Sequence, residues 1–190
     1  MCHGVNIFNS ICLKTDDEIG TMSRITYASA IGSIMYGMIS TRPDIAFALS
    51  VARRYQSNPD TLHWKAVNDI LKYLRRTMNL FLVYGSGELK LDGCTYSNFQ
   101  SDVDDLKSTF GFVFKLNGGA IFWKSSKQDT TVDSTTEAEY IASSAATKDV
   151  IWMRNFFQEL AIISQIVDLV LVYYDNTGVV VQDKEPRSHQ

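Results

Sequence analysis

Acidic side chains in the second half of the sequence are the first candidates for chemistry. Asp175 follows a nearly unbroken apolar run, residues 167–174, which is typical of a central strand buried on both faces. Because ligands of open α/β sheets bind at the carboxyl ends of strands, a carboxylate here is rigidly held and exposed at its tip. Asp175 or Asn176 could equally cap a following helix, and position alone favours neither role.

Two glutamates lie in the first turns of a predicted helix over residues 134–160. Ser134 and Glu137 match the capping box S-x-x-E, which gives Glu137 a structural role. Glu139 points to nearly the opposite side of the helix, and its small helical neighbours would let its carboxylate approach a sheet closely. Glu139 is therefore the better functional candidate, and the alternative is a solvated glutamate favoured by the helix dipole.

Other catalytic patterns are weak or missing. The cluster Asp102, Asp104 and Asp105 is typical of a polar loop. The three histidines, at positions 3, 63 and 189, give no Ser–His–Asp spacing, and no glycine-rich phosphate loop is present. Three cysteines without a CxxC pair exclude a disulfide scaffold and a zinc pattern, and they indicate reduced thiols in an intracellular compartment, cytoplasmic or nuclear.

Basic residues are concentrated in one part of the sequence. Residues 42–76 hold seven basic and three acidic residues, a local charge of +4 in a chain whose net charge is −3. The overall charge excludes a uniformly basic nucleic-acid binder but permits a basic patch. Five of these residues are candidates for phosphate contacts, although basic residues near helix C-termini also satisfy the helix dipole: Arg53, Arg54, Lys72, Arg75 and Arg76.

The elements that position these residues follow from periodicity. A length of 190 residues with 45% apolar and 21% charged residues predicts a soluble globular chain with a sizeable core. No segment is long and apolar enough to span a membrane, so no membrane partner is expected. Helices are predicted over 23–38, 43–56, 60–77 and 134–160, the last with apolar marks at Tyr140, Ile141, Ile151, Trp152 and Phe156.

Strands are predicted in the second half, where the period changes. The predicted strands are residues 80–84, 109–116, 120–125 and 167–174, and residues 89–92 also alternate. The sequence Asn117-Gly118-Gly119 predicts a hairpin turn. A short helix could follow Asn176. The second half therefore predicts an α/β domain, a mixed sheet with helices in the order β-β-β-α-β-α.

Six ordered motifs carry a family resemblance: TYASAIGSIMYGMISTRPDIAFALS, HWKAVNDILKYLRRT, KSTFGFVF, AIFWKSSKQ, STTEAEYIA and YYDN. Together they resemble copia-type LTR retrotransposon Pol polyproteins, at the end of the reverse transcriptase and the ribonuclease H domain that follows it. The resemblance covers about residues 22–190. It implies a variable leader over 1–21, a helical connection region over 22–79 and a ribonuclease H-like domain over 80–190, truncated at its C-terminus.

The resemblance also implies a fold and an activity. The fold is the ribonuclease H-like mixed sheet with flanking helices, preceded by the helical connection segment. The activity is hydrolysis of the RNA strand of an RNA–DNA hybrid by two Mg²⁺ ions held by about four carboxylates. The implied partners are the hybrid and the remainder of the reverse transcriptase polyprotein.

Matching the motifs residue by residue assigns the metal ligands. The first aspartate, in a motif like Y-T-D-A-D-W-A-G-D, falls on Tyr96, and of that motif only Asp102 remains as a substitute metal ligand. The family glutamate falls on Glu139 and the third carboxylate on Asp175, as catalytic and metal-binding residues. The fourth belongs to a motif expected beyond Gln190.

The substitution at position 96 predicts a loss of activity. A tyrosine, with a pKa of about 10, supplies no charged oxygen near neutral pH, and its ring would crowd a metal ion. We therefore expect little or no hybrid hydrolysis from this chain. The alternatives are a non-catalytic nucleic-acid-binding or scaffold module and a decayed copy of the element without function.

Overall fold

The computed structural model describes residues 20, 22–86, 90–160 and 170–173. The chain divides into two compact units, which we name the helical unit, residues 1–81, and the sheet unit, residues 82–190. No helix in these described ranges is long and apolar enough to cross a membrane.

Three α-helices of the helical unit lie wholly within its described residues. They are α1 (Tyr27–Thr41), α2 (Ala46–Ala52) and α3 (Thr61–Arg76), and α2 is flanked by 3₁₀ turns at Pro43–Ile45 and Arg53–Tyr55. The predicted helices are confirmed, but α1 begins four residues after Ser23. Pro43 opens the first 3₁₀ turn, where its missing N–H leaves no hydrogen bond unmade.

The core of the helical unit joins one apolar stripe from each helix. Its largest fully buried side chains include Ile31 of α1, Leu49 of α2 and Val67 of α3, each at most 1% exposed. Tyr27 adds a polar tie, because its hydroxyl donates a 2.8 Å hydrogen bond to the carbonyl oxygen of Ala52. The two helices are thus fixed by packing and by a satisfied buried polar group.

Helix α3 begins with a reciprocal cap. The Asp60 side chain accepts from the backbone N–H of His63, and His63 Nδ1 accepts from the backbone N–H of Asp60 at 2.8 Å. His63 is fully buried and stacks on Tyr55 with ring centroids 4.2 Å apart. The histidine therefore has a structural role at the helix start.

The sheet unit contains four strands and one long helix in its described part. The elements are β1 (Leu91–Asn98), β2 (Thr109–Leu116), β3 (Gly119–Lys127), α4 (Thr135–Glu159) and β4 (Leu171–Tyr173). The spatial order is β3-β2-β1-β4, with β1–β2 and β2–β3 antiparallel and β1–β4 parallel. This confirms the predicted mixed α/β sheet with helices.

The hairpin between β2 and β3 forms where it was predicted. Asn117 has a φ of 49° and Gly118 a φ of 83°, so both central residues adopt the left-handed conformation of a tight turn. Asparagine and glycine tolerate this conformation best, which is why the Asn-Gly pair predicted the turn correctly.

Two strand predictions are wrong for the described residues. Residues 80–84 form no strand, and Leu80, Phe81 and Val83 are each more than 60% exposed. The run is apolar enough for a strand but pairs with none in the described structure. In addition, β4 is the outer strand of the described sheet, with Leu171 and Tyr173 exposed, rather than a central strand buried on both faces.

Helix α4 packs on one face of the sheet through small residues. Its buried side chains include Ala142, Ala146 and Met153, which lie in one core cluster with Phe110, Phe112 and Phe114 of β2. The predicted helix is confirmed, but most of its large apolar residues are not its buried face, because Tyr140, Ile151, Trp152 and Phe156 are 43–57% exposed. Large rings already fill the sheet side, so only small helix residues allow the close approach.

Candidate functional site

Glu139 lies against the sheet at the start of α4. Its side chain is 5% exposed, and its Oε1 accepts a 2.8 Å hydrogen bond from the backbone N–H of Ser97 on β1. The neighbours Ala142 and Ser143 are also buried, as the small-residue pattern predicted. A buried carboxylate is costly unless it is hydrogen-bonded, so the hydrogen bond between Glu139 and β1 is a specific feature of this fold.

Glu137, two residues earlier, has the structural role predicted for it. Its backbone N–H donates to Ser134 Oγ at 3.1 Å, which caps α4. Its own carboxylate accepts from the backbone N–H of Asp133, one residue before the position that a standard capping box uses. Glu137 is exposed, so the two glutamates serve different surfaces.

Tyr96 stands next to Ser97 on β1 but faces the other way. Ser97 pairs with Phe110 and shares the sheet face that α4 covers, so the side chain of Tyr96 emerges on the opposite face. Its ring lies over Gly111 of β2, where a Cβ atom would come within 2.6 Å of Tyr96 Cε1. The missing side chain at Gly111 therefore provides the room for this ring.

The parallel strand β4 reaches the same region of β1. Tyr173, the last described residue of β4, is the register partner of Cys94, two residues before Tyr96. Asp175 and Asn176 lie outside the described residues, so their predicted roles stay predictions.

Asp102 has a different environment from the one predicted. It is 4% exposed and lies 3.2 Å from Lys127 Nζ, and its Oδ1 accepts from the backbone N–H of Asp104. Lys127 also contacts Asp105 at 2.8 Å. Burial lowers the pKa of Lys127, but the hydrogen bonds to Asp105 and Asp102 outweigh it and raise the pKa above its ordinary value.

This network corrects the polar-loop prediction for Asp102. The residue is a buried anchor that ties the loop after β1 to the end of β3, through Lys127. The loop turns at Gln100 and Leu106, which have φ values of 47° and 55°. Its lysine partner gives Asp102 a structural role apart from the metal-ligand role that the motif assigned.

The described residues do not by themselves fit a two-Mg²⁺ centre. Such ions need oxygen ligands, mainly carboxylates, in close groups. At this end of β1 the described candidates are the Glu139 carboxylate and the phenol of Tyr96, and Asp102 contacts a lysine. Within the described ranges, no three His, Cys, Asp or Glu side chains lie close enough together to hold a metal ion.

The basic candidates lie on the helical unit. Arg53 is exposed in the second 3₁₀ turn, and Arg75 and Arg76 are exposed in the last turn of α3. Arg54 is half-buried. Lys72 forms an ion pair with Asp69 at 3.2 Å, so part of its charge is balanced within its own helix.

Two residues, His63 and Lys127, have clear structural roles that the sequence did not predict. His63 stands three positions after Asp60, and this capping spacing could have indicated it. Lys127 is 25 positions from Asp102 and meets it only because β2 and β3 pair, so no local pattern could have found it.

Comparison with known proteins gives several relatives. The chain is 40% identical over 185 residues, 97% of its length, to the retrovirus-related Pol polyprotein from transposon TNT 1-94 of Nicotiana tabacum. It is 32% identical over 165 residues to the retrovirus-related Pol polyprotein from transposon RE2 of Arabidopsis thaliana. It spans only 14% and 11% of the lengths of these two proteins.

A third relative is a much shorter protein. The chain is 42% identical over 133 residues, 70% of its length, to the secreted RxLR effector protein 161 of Plasmopara viticola, and the match covers 94% of that protein. No family model matches the chain. No solved structure matches it either.

Proposed function

The chain belongs to the family of retrotransposon Pol polyproteins, and on this premise we propose that its sheet unit is a ribonuclease H-like domain that no longer hydrolyses RNA–DNA hybrids. The observation that carries the proposal is the pairing of Glu139 with β1 immediately beside Tyr96. The mixed sheet with its antiparallel meander and parallel fourth strand supports the fold.

The loss of activity is inferred from the residue at position 96. Two-metal hydrolysis needs carboxylates that hold both metal ions, and a tyrosine supplies no carboxylate. Since removal of even an outer-shell partner of a metal site typically costs about 10- to 100-fold in affinity or activity, loss of a direct ligand should cost more.

Hydrolysis of a labelled RNA–DNA hybrid in Mg²⁺ tests this proposal. We expect the chain and its Glu139→Ala variant to give the same background rate. Robust turnover that disappears in Glu139→Ala would overturn the claim of inactivity while supporting the site. Turnover equal in both proteins would place any activity elsewhere.

A gain-of-binding variant tests the site without relying on turnover. In Tyr96→Asp we expect a Mg²⁺-dependent rise in melting temperature that the parent chain lacks, because a carboxylate is restored at the position that the motif assigns to a metal ligand, next to the Ser97 amide that binds Glu139. The double variant Tyr96→Asp with Glu139→Gln should lose that rise. A folded Tyr96→Asp protein that Mg²⁺ does not stabilise would contradict the assignment of position 96.

We propose further that the helical unit binds the hybrid through its basic surface. The exposed residues Arg53, Arg75 and Arg76 support this role, with Arg54 and Lys72 beside them in sequence. Removing one basic side chain that contacts a phosphate lowers the slope of log affinity against log salt concentration by about 1. The variant Arg75→Gln with Arg76→Gln should therefore lower the slope by about 2.

Fluorescence anisotropy of a labelled hybrid, titrated at several salt concentrations, measures this slope. The control is Lys90→Gln, which removes one exposed charge from the sheet unit. An unchanged slope in the double arginine variant would contradict binding at this surface. Absence of binding at low salt by the parent chain would favour a decayed copy without function.

A further inference from the structure

A groove runs along the sheet unit between α4 and the outer strand β3. Its volume is about 340 Å³, and the groove is lined on the helix side by Tyr140, Ser144, Lys148 and Asp149 and on the strand side by Lys124. Tyr140, Ser144 and Lys148 are spaced four residues apart, so they follow one another along the same side of α4. All three are exposed.

Aromatic rings continue this groove towards the C-terminal end of α4. Phe122 shares a face of β3 with Lys124, because the two pair with Phe114 and Phe112 on the covered face of β2. Trp152 follows Lys148 by one helical turn, and its ring centroid lies 6.4 Å from that of Phe122. Phe156 stacks on Trp152 at 5.5 Å, with the ring planes 10° apart.

These rings are accessible rather than buried. Trp152 is 57% exposed, Tyr140 51% and Phe156 43%. From Lys148 to Phe156 the helix rises about 12 Å, so the stacked rings of Trp152 and Phe156 lie beyond the end of the groove that Lys148 lines. Neighbouring exposed apolar side chains of this kind mark interaction sites on soluble proteins.

The charge of the groove is positive. Lys124 and Lys148 outnumber the one acidic lining residue, Asp149. The Lys124 ammonium lies over the ring of Phe110, with Nζ 5.8 Å from the ring centroid. This cation–π contact holds the Lys124 ammonium at the rim of the groove.

We propose that this groove binds single-stranded nucleic acid, with Lys124 and Lys148 on phosphates and with Trp152, Phe156 and Tyr140 against bases. Grooves that bind single strands combine a positive path for the backbone with aromatic side chains on which bases stack. A duplex offers no unstacked bases to such rings. A purely apolar protein partner would have to bury both lysines without counter-charges.

The inference goes beyond the proposed function, since it needs neither hydrolysis nor a hybrid. It concerns the covered face of the sheet beside β3, whereas Tyr96 emerges on the other face of β1. Binding in this groove can therefore be measured without Mg²⁺, and a failure here would leave the interpretation of Glu139 and Tyr96 unchanged.

Fluorescence anisotropy with a labelled oligothymidylate of about 12 nucleotides tests the proposal, since site sizes of such grooves run from about 4 to 16 nucleotides. We expect salt-dependent binding by the full chain. Trp152→Ala should weaken it about 5- to 150-fold, the loss typical of one stacked base. Trp152→Phe should retain most of the affinity. An unchanged circular dichroism spectrum shows that the variants fold as the parent does.

The charge contribution is tested in the same assay. Lys148→Gln should reduce the log–log salt slope by about 1, and the double variant Lys124→Gln with Lys148→Gln by about 2. Matched controls outside the groove are Phe81→Ala, an 81% exposed ring, and Lys90→Gln. Both controls should bind as the parent does.

Three results would overturn the proposal. The first is absence of binding at low salt. The second is equal affinity of the parent, Trp152→Ala and Trp152→Phe. The third is an equal loss of affinity in Trp152→Ala for the oligothymidylate and for a duplex of the same length, which would show that the ring does not bind unstacked bases.

Discussion

The two units differ in what they bury. Among the described residues, the helical unit buries Ser50 and His63 together with the tyrosines Tyr27 and Tyr55, and it buries no carboxylate. The described part of the sheet unit buries seven polar or charged side chains, among them the carboxylates of Asp102 and Glu139. Burying a carboxylate lowers the stability of a fold unless partners compensate for it, so the two carboxylates of the sheet unit depend on their hydrogen bonds and ion pairs.

The two units also differ in how exposed their paired carboxylates are. In the helical unit, ionic contacts such as Arg42 with Asp44, at 2.7 Å, involve a carboxylate that is one-third exposed. The hydrogen bond from Arg42 holds the pKa of Asp44 below its ordinary range. In the sheet unit the carboxylates lie inside, against β1 and β3, which is where a site derived from a Pol polyprotein is proposed.

The largest effect that can break this comparison is loss of a buried carboxylate. Asp102→Ala should lower the free energy of unfolding by about 3 kcal/mol, at the low end for a broken buried pair. The low end applies because Lys127 is one-third exposed and retains Asp105. Urea unfolding measures the change.

The matched change in the helical unit is Asp44→Ala. Its loss should be about 1 kcal/mol, because partly exposed pairs contribute little. Equal losses for Asp44→Ala and Asp102→Ala would show that burial does not distinguish the two units.

An intermediate effect should appear at alkaline pH, in the helical unit. Burial raises the pKa of Tyr27 to about 12, from an ordinary value of 10.0. Since the folded pKa is the higher one, this stabilisation is complete below pH 10 and is lost as the pH rises towards 12. The lost stability is roughly 2–3 kcal/mol.

The pH dependence of urea unfolding between pH 9 and pH 12 checks this expectation. Fluorescence of Trp64, whose ring centroid lies 6.2 Å from that of Tyr27, can follow the helical unit. Tyr27→Phe removes the ionisable hydroxyl and should unfold with a flatter profile over this range. A profile as steep as that of the parent would assign the alkaline loss to other groups.

The smallest effect sharpens the comparison by testing a feature that the units share. Both α3 and α4 begin with a side-chain cap, Asp60 in one unit and Ser134 in the other. Replacing either by alanine should cost about 1 kcal/mol. Thermal unfolding of both variants measures the losses, and a loss at Ser134 several times larger than at Asp60 would show that this cap also supports Glu139.

Local signals explain the parts of the fold that the sequence predicts well. The Asn117-Gly118 turn, the cap at Ser134 and the three helices of the helical unit depend on neighbouring residues, and each was found near its predicted position. The close approach of Glu139 to the sheet also follows from local pattern, because its helical neighbours are small.

The wrong predictions share a dependence on distant pairing. Trp152 and Phe156 look like core residues by size, yet the sheet face is already filled by the phenylalanines of β2. Residues 80–84 have the composition of a strand without a described partner. The burial of Asp102 depends on Lys127, which only the pairing of β2 with β3 brings near.

The topology of the sheet also has a consequence for the order of folding. Strands β1, β2 and β3 follow one another as an antiparallel meander, so their contacts close short loops. The parallel strand β4 joins β1 only after more than 70 intervening residues, including the whole of α4, have been arranged. Because contacts that close long loops form slowly, we expect the meander to form before β4 docks on β1.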